Sequence, residues 1–193
     1  MNLLEQEFYD KLEAANLFFD EIIINHKKVI HCTILKSSMV LMLYNISEST
    51  IRKILEYIHD DLSSFKMQEL SEKLNSNFLK YNNESYFPTF KFFVKNKKGS
   101  LFSGNVDSRR ICQELKKYGI NITLPEGKEY LLKIKTLRNN LAHGNLSFKD
   151  ATRNTTNNEL LSWMKAIQAV FEQVIFEVKN FIKNKMYLDK SLP

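Results

Sequence analysis

Cysteine, glycine and proline are all scarce in this sequence. Its 193 residues include two Cys, five Gly and three Pro. Cys32 and Cys112 are too few for a disulfide framework and lack the spacing of zinc ligands, so we expect two reduced thiols in a cytoplasmic protein. Because turns between β-strands draw heavily on Gly and Pro, their scarcity argues against a turn-rich β architecture.

Long apolar runs and targeting signals are also missing. The longest apolar run, Met39–Tyr44, is far shorter than the roughly 20 residues of a membrane-spanning helix, and the acidic Met1–Asp10 does not resemble a signal peptide. With 44% hydrophobic and 12% aromatic residues, the chain has enough apolar side chains for a core without metal or disulfide staples. We therefore expect one soluble domain over residues 1–193, with no membrane partner.

Apolar side chains recur every three or four residues through most of the chain, which is the spacing of one helix face. This pattern predicts an all-α antiparallel helical bundle. Its strongest part is a series with 4,3,4,3 spacing from Leu160 to Phe181, preceded by a capping box at Thr156 and Glu159. The series favours a long core helix, with a helix-pairing dimer seam as the alternative. The other predicted helices are Leu3–Asn25, Lys28–Leu62 (single, or divided near Ser47–Thr50), Ser64–Phe78, a helix from Asp107 or Ser108 to Tyr118, and Glu126–Ala142.

Residues 81–105 interrupt the helical pattern. This stretch contains Pro88, Gly99, Gly104 and a cluster of Phe and Tyr residues, which predicts an irregular insertion that could include a short β-hairpin. Its rings could stack RNA bases while nearby cations follow the RNA backbone, or they could form an aromatic mini-core with solvated lysines. We favour the second interpretation. The cations concerned are Lys91, Lys95, Lys97, Lys98, Arg109 and Arg110.

Positive charge is concentrated in the second half of the chain. The formal net charge is +6; residues 1–97 hold 12 basic and 13 acidic side chains, and residues 98–193 hold 16 and 9. Such an excess permits a polyanionic partner, either nucleic acid or an acidic protein surface. Lysines scattered over solvated helix faces would give the same sum, so charge alone does not choose the partner.

The motifs of most well-known catalytic chemistries are absent from the sequence. It has no Walker-type loop, GxGxxG, GxSxG or HExxH. The His and Cys residues also lack the spacing of metal ligands, so we expect no metal site and no cofactor.

A fixed cation and a titratable base remain near the end of one predicted helix. Arg138 and His143 are five positions apart, and Asn139 lies about one turn before His143. Five residues of an ideal helix rotate by about 140°, so both side chains meet one phosphate only if the backbone leaves the helix near Gly144. Both side chains could instead stabilise the helix C-terminus through its dipole and free carbonyl groups. Spacing alone leaves these two interpretations open.

The segment from Arg138 to His143 resembles the signature of the HEPN superfamily (higher eukaryotes and prokaryotes nucleotide-binding), in which an arginine and a polar residue precede a histidine. The flanking phrases Tyr44–Arg52 and Gly144–Thr156 are similar to those of MAE-type HEPN-like nucleases. This resemblance implies a HEPN-like bundle and a metal-independent endoribonuclease, commonly the toxin of a toxin–antitoxin or anti-phage defence system. Arg138 and His143 would be its catalytic pair, with Asn139 as the polar residue after the arginine.

RNA cleavage fits these residue types. The ribose 2′-OH is the nucleophile, so the protein must supply a group that transfers its proton and a cation that stabilises the phosphorane. His143 suits the first role and the planar guanidinium of Arg138 suits the second. A single His cannot easily be both base and acid on one phosphate, and HEPN nucleases usually dimerise. The resemblance therefore implies a homodimer with a composite active site.

Weaker candidates and other functions stay open at this point. Glu48 and Arg52 are four residues apart on a predicted helix, where they would either form a modest surface pair or line the RNA cleft. The chain could also be a non-catalytic HEPN module that binds RNA, a nucleotide or a partner protein such as an antitoxin. A third possibility is a purely structural helical bundle.

Overall fold

A computed structural model describes residues 3–24, 29–78, 85–96 and 105–189. Within these ranges the chain forms seven α-helices and one 3-10 turn, with isolated β-bridges but no β-strand. The predicted all-α architecture is confirmed. The helices are α1 Leu3–Ile24, α2 Val29–Leu62, α3 Glu72–Phe78, α4 Phe90–Asn96, α5 Ser108–Lys117, α6 Glu129–Ala142 and α7 Asn157–Lys183.

Helix α2 is the centre of the bundle and contacts α1, α4, α6 and α7. It continues without interruption through Ser47–Thr50, where a division was considered. The hydroxyl of Ser47 is buried and donates to the carbonyl of Leu43 one turn earlier, 2.9 Å away. A polar side chain can be accommodated inside a helix in this way, because its hydroxyl finds a partner in its own backbone.

Helix α7 is the long core helix that its heptad spacing predicts. Its capping box is present, since Thr156 Oγ1 accepts from Glu159 N and the Glu159 carboxylate accepts from Thr156 N. Every member of the 4,3,4,3 series is buried within its own chain, and so are Val170 and Ile175 outside that series. The wide buried face fits the contacts of α7 with α1, α2 and α6, and favours the core interpretation over a dimer seam.

The helix predicted over Ser64–Phe78 is confirmed for Glu72–Phe78 and wrong before it. The chain instead forms a 3-10 turn at Met67–Glu69, and α3 begins at Glu72. The hydroxyls of Ser63 and Ser64 donate to carbonyl groups three residues earlier, and the Glu69 carboxylate accepts from the N–H of Lys66. These local bonds give the backbone an alternative to the helix.

Helix α6 begins at Glu129, three residues later than predicted. Gly127 has φ +85°, a left-handed conformation that ends any earlier start of the helix. A Cβ at this position would lie 2.8 Å from the Cβ of Ala166. Gly127 is therefore required both by its backbone conformation and by its close approach to α7.

The described part of the insertion contains helix α4 where a β-hairpin was considered. Thr89 precedes this helix, and its carbonyl accepts the N–H of Phe93 at 2.9 Å. The rings of Phe90 and Phe93 are three residues apart on one face and both are buried. Phe87 is buried as well, whereas Tyr86 and Phe92 are exposed, so most of the aromatic cluster forms the mini-core we favoured.

This mini-core surrounds His59 of α2, which is fully buried. The Nδ1 atom of His59 lies 2.7 Å from the carbonyl oxygen of Pro88, and Nε2 lies 2.8 Å from the hydroxyl of Tyr118. Because a carbonyl oxygen can only accept, Nδ1 carries the proton and Nε2 accepts from Tyr118. Burial lowers the pKa of His59 to about 4, although the Pro88 carbonyl acts in the opposite direction. The ring is thus a neutral structural centre that joins α2 to the insertion and to the end of α5.

None of the helices in the described ranges combines the length and apolar character needed to cross a bilayer.

Candidate active site

Helix α6 ends at the Arg–His segment. His143 is its C-cap, and Gly144 follows with φ +70°. The N–H of Gly144 donates to the carbonyl of Leu141 (3.2 Å), and the N–H of Asn145 donates to that of Asn140 (2.8 Å). These two bonds form a Schellman motif, in which a left-handed glycine closes the helix. The backbone therefore leaves the helix directly after His143, as the sequence predicts.

Arg138 is half-buried and its guanidinium lies over the ring of Tyr44 on α2, with 4.6 Å between Cζ and the ring centroid. One of its terminal nitrogens, Nη1, donates to the Oδ1 atom of Asn139 at 3.0 Å. A cation over a buried aromatic face is stabilised by the ring quadrupole. The stacking interaction and the hydrogen bond together fix the position of the charged group.

The position of Tyr44 is itself fixed by burial and by a hydrogen bond. Its side chain is 1% exposed, and its hydroxyl accepts a hydrogen bond from the N–H of Val106 at 3.3 Å. Burial raises the pKa of Tyr44, and the charges of Glu48 and Asp107 act in the same direction, while Arg138 opposes them. Tyr44 is thus a neutral platform under the guanidinium.

Asn139 contacts both members of the proposed pair through different atoms. Its side-chain oxygen binds Arg138, whereas its main-chain oxygen accepts the N–H of His143 at 3.0 Å. The His143 side chain is exposed and makes no hydrogen bond with the described residues. No hydrogen bond joins the side chains of Arg138 and His143 within the chain. The arrangement offers a fixed cation and, at the helix end, an imidazole open to solvent.

An ion pair behind the site ties α5 to α6. Asp107 is the N-cap of α5, where its carboxylate accepts from the N–H of Arg110, and it also pairs with Lys135 of α6. Burial works to raise the pKa of Asp107, but the hydrogen bonds from Lys135 and from Arg110 N–H lower it overall. Asp107 follows Val106, the residue that binds Tyr44, so this pair also fixes the backbone beneath the tyrosine.

Two weaker candidates lie on α2 near Tyr44. Glu48 is half-buried one turn after Tyr44, and its negative charge contributes to the raised pKa of Tyr44. Arg52 is exposed, and its guanidinium carbon lies 5.9 Å from the ring centroid of Phe90. The surface ion pair that the spacing of Glu48 and Arg52 suggested is not formed.

The remaining basic candidates are spread over two helices. Lys95 is exposed on α4 and Arg109 is exposed on α5. Arg110 forms an ion pair with the buried Glu114, with 2.9 Å between Nη2 and Oε1, so at least part of its role is structural. Lys97 and Lys98 lie outside the described residues.

Sequence reasoning missed Tyr44 as a partner of the site. The signal was present, because Tyr44 opens the phrase Tyr44–Arg52 on which part of the resemblance rests. What the sequence lacked was the packing of α2 against α6 that brings the ring to Arg138. Within the described ranges, no group of three or more His, Cys, Asp or Glu side chains is arranged to hold a metal ion.

Comparison with known protein families settles the relationship of the chain. The family described as HEPN_MAE_28990-like HEPN matches it over residues 20–187. The chain belongs to this HEPN family. The match includes α2, the Arg138–His143 segment and all of α7, so the HEPN assignment covers the whole site described above. No curated protein and no solved structure matches the chain.

Proposed function

We propose that this HEPN chain is a metal-independent endoribonuclease whose catalytic residues are Arg138 and His143. The observation that carries the proposal is a guanidinium fixed by Tyr44 and Asn139 at the end of a helix that also presents an exposed imidazole. A cation held in place before the reaction stabilises developing charge without the cost of reorganisation. A purely structural C-terminal histidine would bond to the free carbonyl groups of its helix, whereas the His143 side chain is exposed and makes no hydrogen bond with the described residues.

The proposed reaction is attack of a ribose 2′-OH on the adjacent phosphate. His143 takes the proton from the 2′-OH, and the 2′-oxygen forms a bond to phosphorus while the 5′-oxygen of the next nucleotide leaves and receives a proton from the His143 imidazolium of a second copy of the chain. Arg138 donates hydrogen bonds to the non-bridging oxygens as negative charge grows on the phosphorane. The products are a 2′,3′-cyclic phosphate and a free 5′-hydroxyl.

The requirement for a 2′-OH gives the test of this chemistry. We expect the protein to cut single-stranded RNA in the presence of EDTA and to leave the same RNA intact when the nucleotide at the cut site is 2′-deoxy. Mass spectrometry of the products should find the cyclic phosphate. Equal cleavage of the 2′-deoxy substrate, or cleavage that stops in EDTA, would contradict the mechanism.

A homodimer completes the proposed site. One histidine cannot easily act as both base and acid on one phosphate, and a second copy of the chain would supply another imidazole and another guanidinium. A mixing experiment tests this composite site. When wild-type and His143→Ala protein exchange subunits in equal amounts, about one quarter of the dimers are fully wild type, so activity should fall to about a quarter of that of the same total amount of wild-type protein. A fall to one half would indicate independent sites.

The likeness to defence-associated HEPN nucleases extends the proposal to the biological role. The chain would act as a toxin or effector of a toxin–antitoxin or anti-phage system, with an antitoxin protein as a partner. If the purified protein binds RNA but does not cut it under any of these conditions, the non-catalytic HEPN module replaces the nuclease.

A further inference from the structure

The segment that follows His143 is attached to α2 by buried hydroxyl groups. Ser37 Oγ donates to the carbonyl of Phe148 at 2.7 Å, and Thr152 Oγ1 donates to the carbonyl of Thr33 at 2.9 Å. The two hydroxyl oxygens lie 3.0 Å apart, and both side chains are 0% exposed. Buried polar side chains of this kind fix the backbone that they bind. The segment therefore keeps a defined position relative to the helix bundle.

The same segment is folded into a short helical turn. The N–H of Ala151 donates to the carbonyl of Ser147 at 3.0 Å, and the Ser147 hydroxyl donates to the carboxylate of Asp150. Lys149 and Arg153 both belong to this turn and are four residues apart in the sequence. Both are exposed, and neither forms an ion pair with the described residues. An anionic ligand would therefore meet two positive charges that no carboxylate of the described residues neutralises.

An aromatic ring accompanies these two cations. Phe148 precedes Lys149, and the residue is 39% exposed although its carbonyl accepts a hydrogen bond from Ser37. A half-exposed ring on a fixed backbone beside unpaired cations matches the way in which proteins bind single-stranded nucleic acid, with bases stacked on rings and phosphates beside Lys and Arg. The faces of paired bases are covered by their neighbours, so the ring would select unpaired nucleotides.

We infer that Phe148, Lys149 and Arg153, in the segment that follows His143 in the chain, form a contact surface for single-stranded RNA. The inference rests on the proposed function, because it names the part of the protein that holds the substrate strand next to His143. Phe148 stacks on a base close to the scissile phosphate, and the two cations bind the phosphates that follow. The surface gives the enzyme a preference for unpaired RNA and sets the position of the strand.

Binding measured without cleavage tests this surface. In the His143→Ala protein, fluorescence anisotropy with an unstructured single-stranded RNA should show about a tenfold loss of affinity for Lys149→Gln/Arg153→Gln. The slope of log affinity against log salt should fall by about 1.4, which corresponds to two lost phosphate contacts on a single strand. The matched control is Lys73→Gln/Lys183→Gln, two exposed lysines on α3 and at the far end of α7, which should leave both quantities unchanged.

The ring is tested separately. Phe148→Ala should weaken binding of single-stranded RNA about tenfold without changing the salt slope, and should barely affect a duplex RNA of equal length. Phe148→Trp keeps a stacking surface and should bind like Phe148, which guards against a simple folding defect in the alanine variant.

Three results would overturn the inference. The first is an unchanged RNA affinity in Lys149→Gln/Arg153→Gln and in Phe148→Ala, and the second is an equal loss of affinity in the control pair. The third is that the His143→Ala protein binds no RNA. The last result would also fit a surface that binds an acidic protein. The proposed function fails in a different way. If the variants at Phe148, Lys149 and Arg153 lose RNA affinity as expected but the wild-type protein cuts no RNA, the contact surface is supported and the nuclease activity is refuted.

Discussion

Replacing His143 with alanine is expected to lower the rate constant of RNA cleavage by about 10²–10⁴-fold, the usual contribution of a positioned acid or base. The side chain is exposed and its main-chain N–H bond to Asn139 does not depend on the imidazole, so the fold should be unaffected. His31→Ala is the matched control, since His31 is also an exposed histidine on a helix. If His143→Ala and His31→Ala cut RNA equally well, His143 is not the proton-transfer group.

Substitutions at Arg138 should lower the rate constant of RNA cleavage by graded amounts in the same assay. Arg138→Ala is expected to lose about 10²–10³-fold, as for removal of one preorganised donor to an oxyanion. Arg138→Lys keeps the charge but loses the planar pair of donors, so it should fall between alanine and wild type. Single-turnover rate constants at saturating RNA separate this loss of catalysis from a loss of binding.

Tyr44 extends this series to a positioning residue. Tyr44→Leu removes the ring beneath the guanidinium and should lower the single-turnover rate constant about tenfold, with little change in RNA affinity. Tyr44→Phe keeps the stacking interaction and should restore most of the rate, although it lacks the hydroxyl that accepts from the N–H of Val106. A Tyr44→Leu protein that is folded and as fast as wild type would show that the stacking does not serve catalysis.

A large effect on stability, rather than on catalysis, is expected at acid pH and arises from His59. Its pKa is about 4 in the folded protein, where burial excludes the charged form, against 6.5 for an ordinary histidine. Below pH 6.5 the unfolded chain therefore binds a proton that the native protein does not, and stability falls as the pH falls. The loss is about 1.4 kcal/mol per pH unit and reaches about 3 kcal/mol near pH 4. Above pH 6.5 His59 contributes no pH dependence.

Urea unfolding at several pH values between 7.5 and 4.5 measures this effect. The wild-type free energy of unfolding should decrease across this range by more than that of His59→Gln, which cannot bind a proton. The substitution should also lower stability at pH 7.5, because the carbonyl of Pro88 and the hydroxyl of Tyr118 lose their hydrogen bonds to the buried imidazole. Parallel curves for the two proteins would show that His59 is not the group responsible.

Helix spacing predicted the long elements of the fold well. Helices α1, α2 and α7 end within a few residues of their predicted bounds, because long amphipathic patterns are specified locally by the need to bury one face. The errors fell on short segments, where serine hydroxyls, a left-handed Gly127 or isolated bridges such as Leu70 to Leu188 decide the backbone. The bridge from Leu70 to Leu188 and the approach of Gly127 to Ala166 depend on partners that are distant in sequence.

In the candidate site, too, local features were visible in the sequence and long-range contacts were not. The Arg138–His143 spacing and the glycine that ends the helix were visible in the sequence, since both are local features. The stacking of Arg138 on Tyr44 and the hydrogen bonds of Ser37 and Thr152 were not visible, because each joins α2 to a segment far along the chain. Such contacts require the packed bundle, and no spacing rule along one helix predicts them.

Single-turnover kinetics can decide whether Arg138 and His143 cut RNA without a metal. Single-turnover cleavage of one unstructured RNA in EDTA should be compared for wild type, Arg138→Ala, His143→Ala and His31→Ala. We expect wild type and His31→Ala to cut at similar rates and both site variants to be at least about a hundredfold slower. Equal rates for all four proteins, or a wild-type protein that binds the RNA and leaves it whole, would contradict the claim.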